Sequence, residues 1–344
     1  MVHVPLRLTL DGEALVANWR WLAQRSGGAE CGAAVKADGY GLGAREVVKR
    51  LQAAGCRHFF VATWAEAKKL MPWPSDLELS VLHGVQARDM FAAKKTAARP
   101  VLNSPEQVAR WKGTGRPCDV MVDTGINRLG LTSEQALSGL LDGLEIETLM
   151  SHLACADEDS PANAAQLRAF RSIAGKVKAK RCSLANSAGI CLGKDYAFDL
   201  TRPGLALYGG VPRREAEGHI RQVARVEAEI VQRRRVEAGQ RVGYGGTFNA
   251  KRATELAILN IGYADGYLRG FSNNGRAKIG DGFAAVVGRV SMDLLAIAVD
   301  AAPALREGDW IELDYELTSA AAQSGLSQYE LITGLGARFK RVWR

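Results

Sequence analysis

The chain has 344 residues, 47% of them hydrophobic, and carries 45 basic against 37 acidic side chains for a formal charge of +8. That content can bury a substantial core, and no apolar run approaches the roughly 20 residues a bilayer-spanning helix needs, so no membrane partner is expected. The densest basic cluster, QRRRVEAGQR at 232–241, has no interleaved aromatics; a solvated face explains it at least as well as nucleic acid, which is not expected as a partner.

The N-terminal MVHVPLRLTLDGEAL lacks the basic-then-apolar pattern of a secretory signal, so a cytoplasmic protein is expected. From residue 31 to about 210, short apolar runs alternate with helix-like segments. The runs are CGAAVK (31–36), HFFVA (58–62), LELSVLH (77–83), RPVLN (99–103), CDVMVD (118–123), ETLMSHL (147–153), RCSLANS (181–187) and FDLTRPG (198–204). Several segments between them space apolar residues three and four apart, as an amphipathic helix does. Thr63 with Glu66, and Ser104 with Gln107, have the spacing of helix-capping pairs.

Eight such alternations suit an α/β fold of the (β/α)8 TIM-barrel type better than an open sheet. The glycines of AAVKADGYGLG (33–43) are spaced GxGxG, which fits neither a dinucleotide fingerprint nor a P-loop. After residue 215 the texture becomes β-branched, alternating and glycine-punctuated, with little helical pattern until LSQYELITGLG. The expected organisation is a barrel over residues 1–219 and a mostly β domain over 220–344, with the boundary at PRREAEGH (212–219).

The six cysteines form no CxxC pair and the five histidines no HxxxH or HExxH pair, so reduced cysteines and no metal site are expected. In a barrel, functional residues collect at the C-terminal ends of the strands. Lys36, His83, His152 and Ser187 close the first, third, sixth and seventh runs on that rim, and TRPGLALYGG follows the eighth. Lys36 is either an ordinary surface lysine or a partly desolvated amine serving as Schiff-base former or general base. Ser187 with the backbone at Gly204 and Leu205 is either a helix cap and turn or a phosphate cradle. Tyr263, in GYADGY, is either a half-buried aromatic or a proton donor and acceptor.

The motifs AAVKADGYGLGA, DTGINRLG (123–130), SHLACADE (151–158), LANSAG (184–189), RPGLALYG (202–209), VGYGGTF (242–248), IGYADGY (261–267) and VGRVSMD (287–293) resemble, in the same order, those of the alanine racemases. The resemblance implies a pyridoxal 5'-phosphate enzyme interconverting L- and D-alanine by a two-base mechanism, in a homodimer with shared active sites. Lys36 would hold the cofactor as an aldimine and act as one base; Tyr263 of the partner subunit would be the other. Tyr40, Ser187, Gly204 and Leu205 would bind the phosphate, Arg202 would face the pyridine nitrogen, and His152 would lie against the ring and bond to Arg202. Arg128 and Met292 would serve the substrate carboxylate.

Two positions depart from the family pattern. Met121 stands where many relatives have a carbamylated lysine, leaving Asn127, a water or an anion to orient Arg128. Ala337 stands where some relatives place a phosphate-binding tyrosine. A broader-specificity racemase, a basic amino-acid decarboxylase and a non-enzymatic pyridoxal-phosphate carrier are the competing readings; the β domain weighs against the last.

Overall fold

A computed structural model describes residues 2–344. The backbone forms two compact units, one of residues 15–207 with 211–221, the other of the segment up to residue 14 with 208–210 and 222–344. Strand β1 (Leu6–Leu10) belongs to the second unit, although its position in the chain suggested the barrel segment 1–219. A single short alternating strand carries no record of its partner in its own sequence; its neighbours come from residues more than 200 positions away.

The first unit is the barrel. Strands β2 (Glu30–Cys31) and β3 (Ala33–Ala34) are halves of one strand interrupted at Gly32, where a Cβ would stand 2.8 Å from the His58 carbonyl oxygen. After them come β4 (His58–Val61), β5 (Glu78–Val81), β6 (Arg99–Leu102), β7 (Cys118–Met121), β8 (Ile146–Met150) and β9 (Arg181–Ser183), all parallel and in sequence order from β3. Strand β10 (Leu200–Thr201) pairs with β2. Its flanks reach the other edge, Asp199 N–H donating to Cys182 O at 3.1 Å and Arg202 N–H to Ala185 O at 2.9 Å. Eight strands therefore close on themselves, one for each apolar run of the sequence.

HFFV is buried along its whole length, as expected of parallel strands covered on both faces. Thr63 and Glu66 form a complete capping box on the helix Trp64–Lys69. Ser104 caps the helix Pro105–Lys112, but the Gln107 side chain turns to accept the Asn103 N–H at 2.9 Å. An ionic cluster lies at the strands' N-terminal ends. Arg99 pairs with Glu78 at 2.5 Å, His58 with Glu30 at 2.9 Å, and Ser80 donates to the wholly buried Asp119 at 2.6 Å. All six cysteines are free, four of them buried.

In the second unit, β11 (Ala224–Val236) is the spine. The later strands are β12 (Arg241–Val242), β13 (Phe248–Asn249), β14 (Thr254–Leu259), β15 (Arg276–Ile279), β16 (Gly282–Val287), β17 (Leu295–Ala298), β18 (Trp310–Glu312) and β19 (Lys340–Trp343). The main sheet runs β15-β16-β17-β14-β11-β1-β19, with β18 also on β11 and β12 paired to β13 apart from it. A register shift between Ile230 and Gln232 lets the first half of β11 pair with β1 and β18 and the second half with β14. Two helices lie between β18 and β19, Leu317–Ser324 and Gln328–Thr333, of which the sequence pattern suggested the second. Among LTSAAAQS the small residues hide the periodicity; the helix is instead defined by its ends, Glu316 accepting the Thr318 and Ser319 N–H groups and left-handed Gly325 closing it.

Candidate active site

The rim residues stand where the sequence placed them: Lys36 two residues past β3, His152 two past β8, Ser187 four past β9 and Arg202 next after β10. The lysine opens an unusual turn. Ala37, Asp38, Gly39 and Tyr40 all have positive φ, between 52° and 65°. For three non-glycine residues in the left-handed region this costs about 1–2 kcal/mol each. Bonds within the segment offset part of it: Gly39 N–H to Val35 O, Gly41 N–H to Ala37 O, Gly43 N–H to Asp38 O, and Ala44 N–H to Asp38 Oδ1 at 3.0 Å. Glu66 supplies a tie to a neighbouring element, one carboxylate oxygen accepting Ala37 N–H at 2.8 Å and the other Ala62 N–H at 2.7 Å. Partial burial, with the Arg128 cation adding to it and Glu66 opposing, holds the Lys36 amine below the ordinary lysine range.

The turn delivers Tyr40 into the interior, where it is 5% exposed. Its hydroxyl rests so close to Gly204 that a Cβ there would lie 2.2 Å from it. Ser187 Oγ accepts the N–H groups of Gly204 at 3.0 Å and Ala206 at 3.2 Å. Tyr40, Ser187, Gly204 and Leu205, from three separate motifs, are thus gathered past β9 and β10. Leu205 begins the single helical turn Leu205–Tyr208, so its N–H has no acceptor within that turn.

Arg202 is almost wholly buried and donates to Ser151 O at 2.6 Å and to Ser183 Oγ. Burial lowers its pKa to about 10, with the Asp119 carboxylate opposing, so it stays a cation at neutral pH. Two of its five N–H donors go to Ser151 and Ser183, and the expected hydrogen bond to His152 is not formed among the described residues. His152 feels Arg202 through its charge instead. Burial, then Arg202, Arg128 and Lys36, push its imidazole down to about 3, so the ring is neutral.

Arg128 is exposed, and its place is set through the backbone. Asp123 accepts the N–H groups of Gly125 at 2.8 Å, Ile126 at 3.0 Å and Arg128 at 3.0 Å, which holds its own carboxyl below the usual range. Asn127 has a left-handed φ of 54° and is exposed. Met121 is buried at the end of β7.

In the second unit, Tyr263 and Met292 are neighbours. Tyr263 N–H donates to Ser291 O and Ala264 N–H to Met292 O, each at 3.0 Å. Tyr263 is half-buried beneath the Arg269 guanidinium, 5.2 Å from its ring centre. Asp265, wholly buried, accepts Gly262 N–H at 3.0 Å and two Arg338 donors at 2.6 and 2.7 Å. Arg338 also reaches Asp293 at 2.7 Å, so one guanidinium binds both loops. Ala337, beside it, is exposed. Sequence spacing did not single out Glu66 as a partner of the lysine turn, nor Asp119, Asp265 or Arg338. Of these, Glu66 left a signal, its capping pattern.

Comparison with known proteins gives a consistent answer for both units. The family model "Alanine racemase, N-terminal domain" matches residues 10–212 and "Alanine racemase, C-terminal domain" residues 223–343. The biosynthetic alanine racemase of Agrobacterium fabrum is 43% identical, covering 99% of this chain and 94% of its own. The catabolic alanine racemase of the same organism is 42% identical, covering 98% and 91%. Among solved structures, alanine racemase from Bartonella henselae with covalently bound pyridoxal phosphate aligns with a TM-score of 0.93 at 34% identity, covering 99% and 100%. The biosynthetic enzyme of Pseudomonas aeruginosa aligns with a TM-score of 0.91 at 31% identity, over 99% and 100%.

Proposed function

Because this chain belongs to the alanine racemase family, we propose that it interconverts L- and D-alanine by a two-base mechanism in which Lys36 works with Tyr263 of the partner subunit. The cofactor is pyridoxal 5'-phosphate, as in the Bartonella henselae relative. The residues suit it. An amine below the ordinary lysine range is available to bond an aldehyde. Gly204, with no side chain, lets the Tyr40 hydroxyl lie against its backbone. The Ser187 hydroxyl, which accepts the Gly204 N–H and keeps its own proton to donate, would with the Leu205 N–H suit a phosphate beside them. Arg202, a cation with a lowered pKa, would face the pyridine nitrogen.

When bound, pyridoxal phosphate withdraws electron density from the substrate's α-carbon and so acidifies its proton. The chain's own groups do the rest. Lys36 Nζ takes or returns that proton on one face, and Oη of Tyr263 of the partner subunit does the opposite on the other. Removal on one face and delivery on the other inverts the centre; the reverse direction exchanges the two roles. His152, neutral, would lie against the cofactor ring without adding a second positive charge beside Arg202. Arg128 and Met292 would hold the substrate carboxylate end.

The observation that carries this reading is Lys36 itself, an amine held below its ordinary range on a strained turn at the barrel mouth. The test mixes inactive Lys36→Ala and Tyr263→Phe chains. Subunit exchange should rebuild one intact site from two damaged chains and restore racemisation; absence of rescue would refute the shared homodimer site.

A further inference from the structure

We propose that Glu66 is a positioning residue for the reaction, fixing the lysine turn to the barrel rim through its bond to the Ala37 N–H. It rests on the reading that Lys36 carries the chemistry. The Thr63–Glu66 pair looks at first like a helix cap and no more. Glu66 N–H donates to Thr63 Oγ1 at 3.2 Å, and Thr63 N–H returns to the Glu66 carboxylate at 3.3 Å. A capping box needs one carboxylate oxygen for that return bond. Here that oxygen, Oε2, also takes the Ala62 N–H at 2.7 Å, and the other, Oε1, reaches back 29 residues to Ala37 at 2.8 Å.

One carboxylate therefore accepts three N–H groups from two chain segments. Ala37 is the residue next to Lys36 and the first of the four left-handed residues. Backbone bonds also tie the strained segment to itself, and the Asp38 carboxylate ties it to the start of the helix Ala44–Ala54 that follows it. A backbone in that region keeps its shape when its surroundings over-determine it, and Glu66 adds a fixed point from the next strand–helix junction. A charge-assisted acceptor suits this task better than a neutral one. Its negative charge also opposes the effect of Arg128 on the Lys36 amine.

Glutamine cannot substitute. With donors on both sides, its amide must set an NH2 against either Ala37 N–H or the Ala62 and Thr63 N–H pair. Aspartate is one methylene too short to span the two segments.

The test compares Glu66→Gln and Glu66→Asp with Thr63→Ala in the pyridoxal-phosphate-loaded enzyme. Thr63→Ala removes the helix cap but leaves the carboxylate on Ala37. Both Glu66 variants should lower kcat about tenfold or more with KM for alanine changed less than about twofold, since a small displacement of a reacting group is costly. Hydrogen exchange of the peptide covering residues 36–42, with and without cofactor, should speed up in the Glu66 variants and not in Thr63→Ala. Equal effects of Glu66→Gln and Thr63→Ala on kcat and exchange would reduce Glu66 to a cap and overturn the proposal, as would unchanged exchange in Glu66→Gln. The exchange arm needs no turnover. A parent chain that fails to racemise alanine would sink the functional reading while exchange still decides what Glu66 holds.

Discussion

Gly204→Ala tests the contact on which the proposed phosphate cradle depends. The new Cβ would stand 2.2 Å from Tyr40 Oη and 2.9 Å from Cζ, whereas ordinary contact begins at 3.4 Å. The hydroxyl must therefore withdraw by about 1 Å. Tyr40 has little freedom to do so, being 5% exposed and set on a left-handed backbone. Overpacking of this kind costs about 1–3 kcal/mol. If about 1.4 kcal/mol of that strain falls on the bound state, affinity for pyridoxal phosphate drops about tenfold. Equilibrium dialysis of the cofactor-free chain measures the affinity, and denaturant unfolding of the same preparations measures the stability. The double variant Tyr40→Phe with Gly204→Ala removes the atom at 2.2 Å, so it should regain part of the lost stability without regaining affinity. Additive losses, or parent-like affinity in Gly204→Ala, would refute the reasoning.

Two other substitutions probe the charged surroundings. His152 is held neutral down to about pH 3 in the folded chain, while an unfolded histidine titrates near 6.5. Between those values the unfolded state binds the proton and the folded state does not, so stability falls with falling pH. The parent should lose stability faster than His152→Gln between about pH 6.5 and 3, as read from denaturant midpoints; parallel profiles would contradict this. Arg338→Met leaves the wholly buried Asp265 without its cation. Because Arg338 is itself half-exposed, water can replace part of the loss, and destabilisation should be about 3 kcal/mol, the low end for a broken buried pair. Differential scanning calorimetry would detect that loss, and an unchanged transition would show that the clamp contributes nothing.

The barrel was legible because each of its strands is a separate apolar run, and most carry a polar or reactive side chain at or near the end. Two periodicities, buried strands and amphipathic helices, alternate without interruption from residue 31 to about 210. Lys36 could be noticed for the same reason, since a lysine closing the run CGAAV breaks an otherwise apolar strand. What stayed hidden depends on pairs distant in sequence. LRLTL reads as a strand anywhere, and its assignment to β11 and β19 appears once the chain has folded. Asp265 and Arg338 are 73 residues apart, and neither carries a local pattern that announces the other. The partners that Arg202 does take belong to the same class: Ser151 and Ser183, 51 and 19 residues away, come from two other strand ends.

A common device unites the loops that carry the proposed reactive groups. The lysine turn is held by Glu66, the Arg128 loop by Asp123 and the Tyr263 loop by Asp265, each carboxylate accepting at least one backbone N–H of its loop. Such bonds are charge-assisted and directional, so they fix a loop without a side chain standing in the space the loop encloses. They also settle where negative charge goes. In the barrel, Glu66 and Asp123 spend their oxygens on peptide donors, while Lys36, Arg128 and Arg202 make themselves felt at His152. The barrel mouth is left predominantly cationic, which suits a ligand bearing a phosphate and a substrate bearing a carboxylate. Burial first, and this field second, shift Lys36 and His152 toward their neutral forms, the states in which an amine can accept a proton and an imidazole can lie near a guanidinium at little cost.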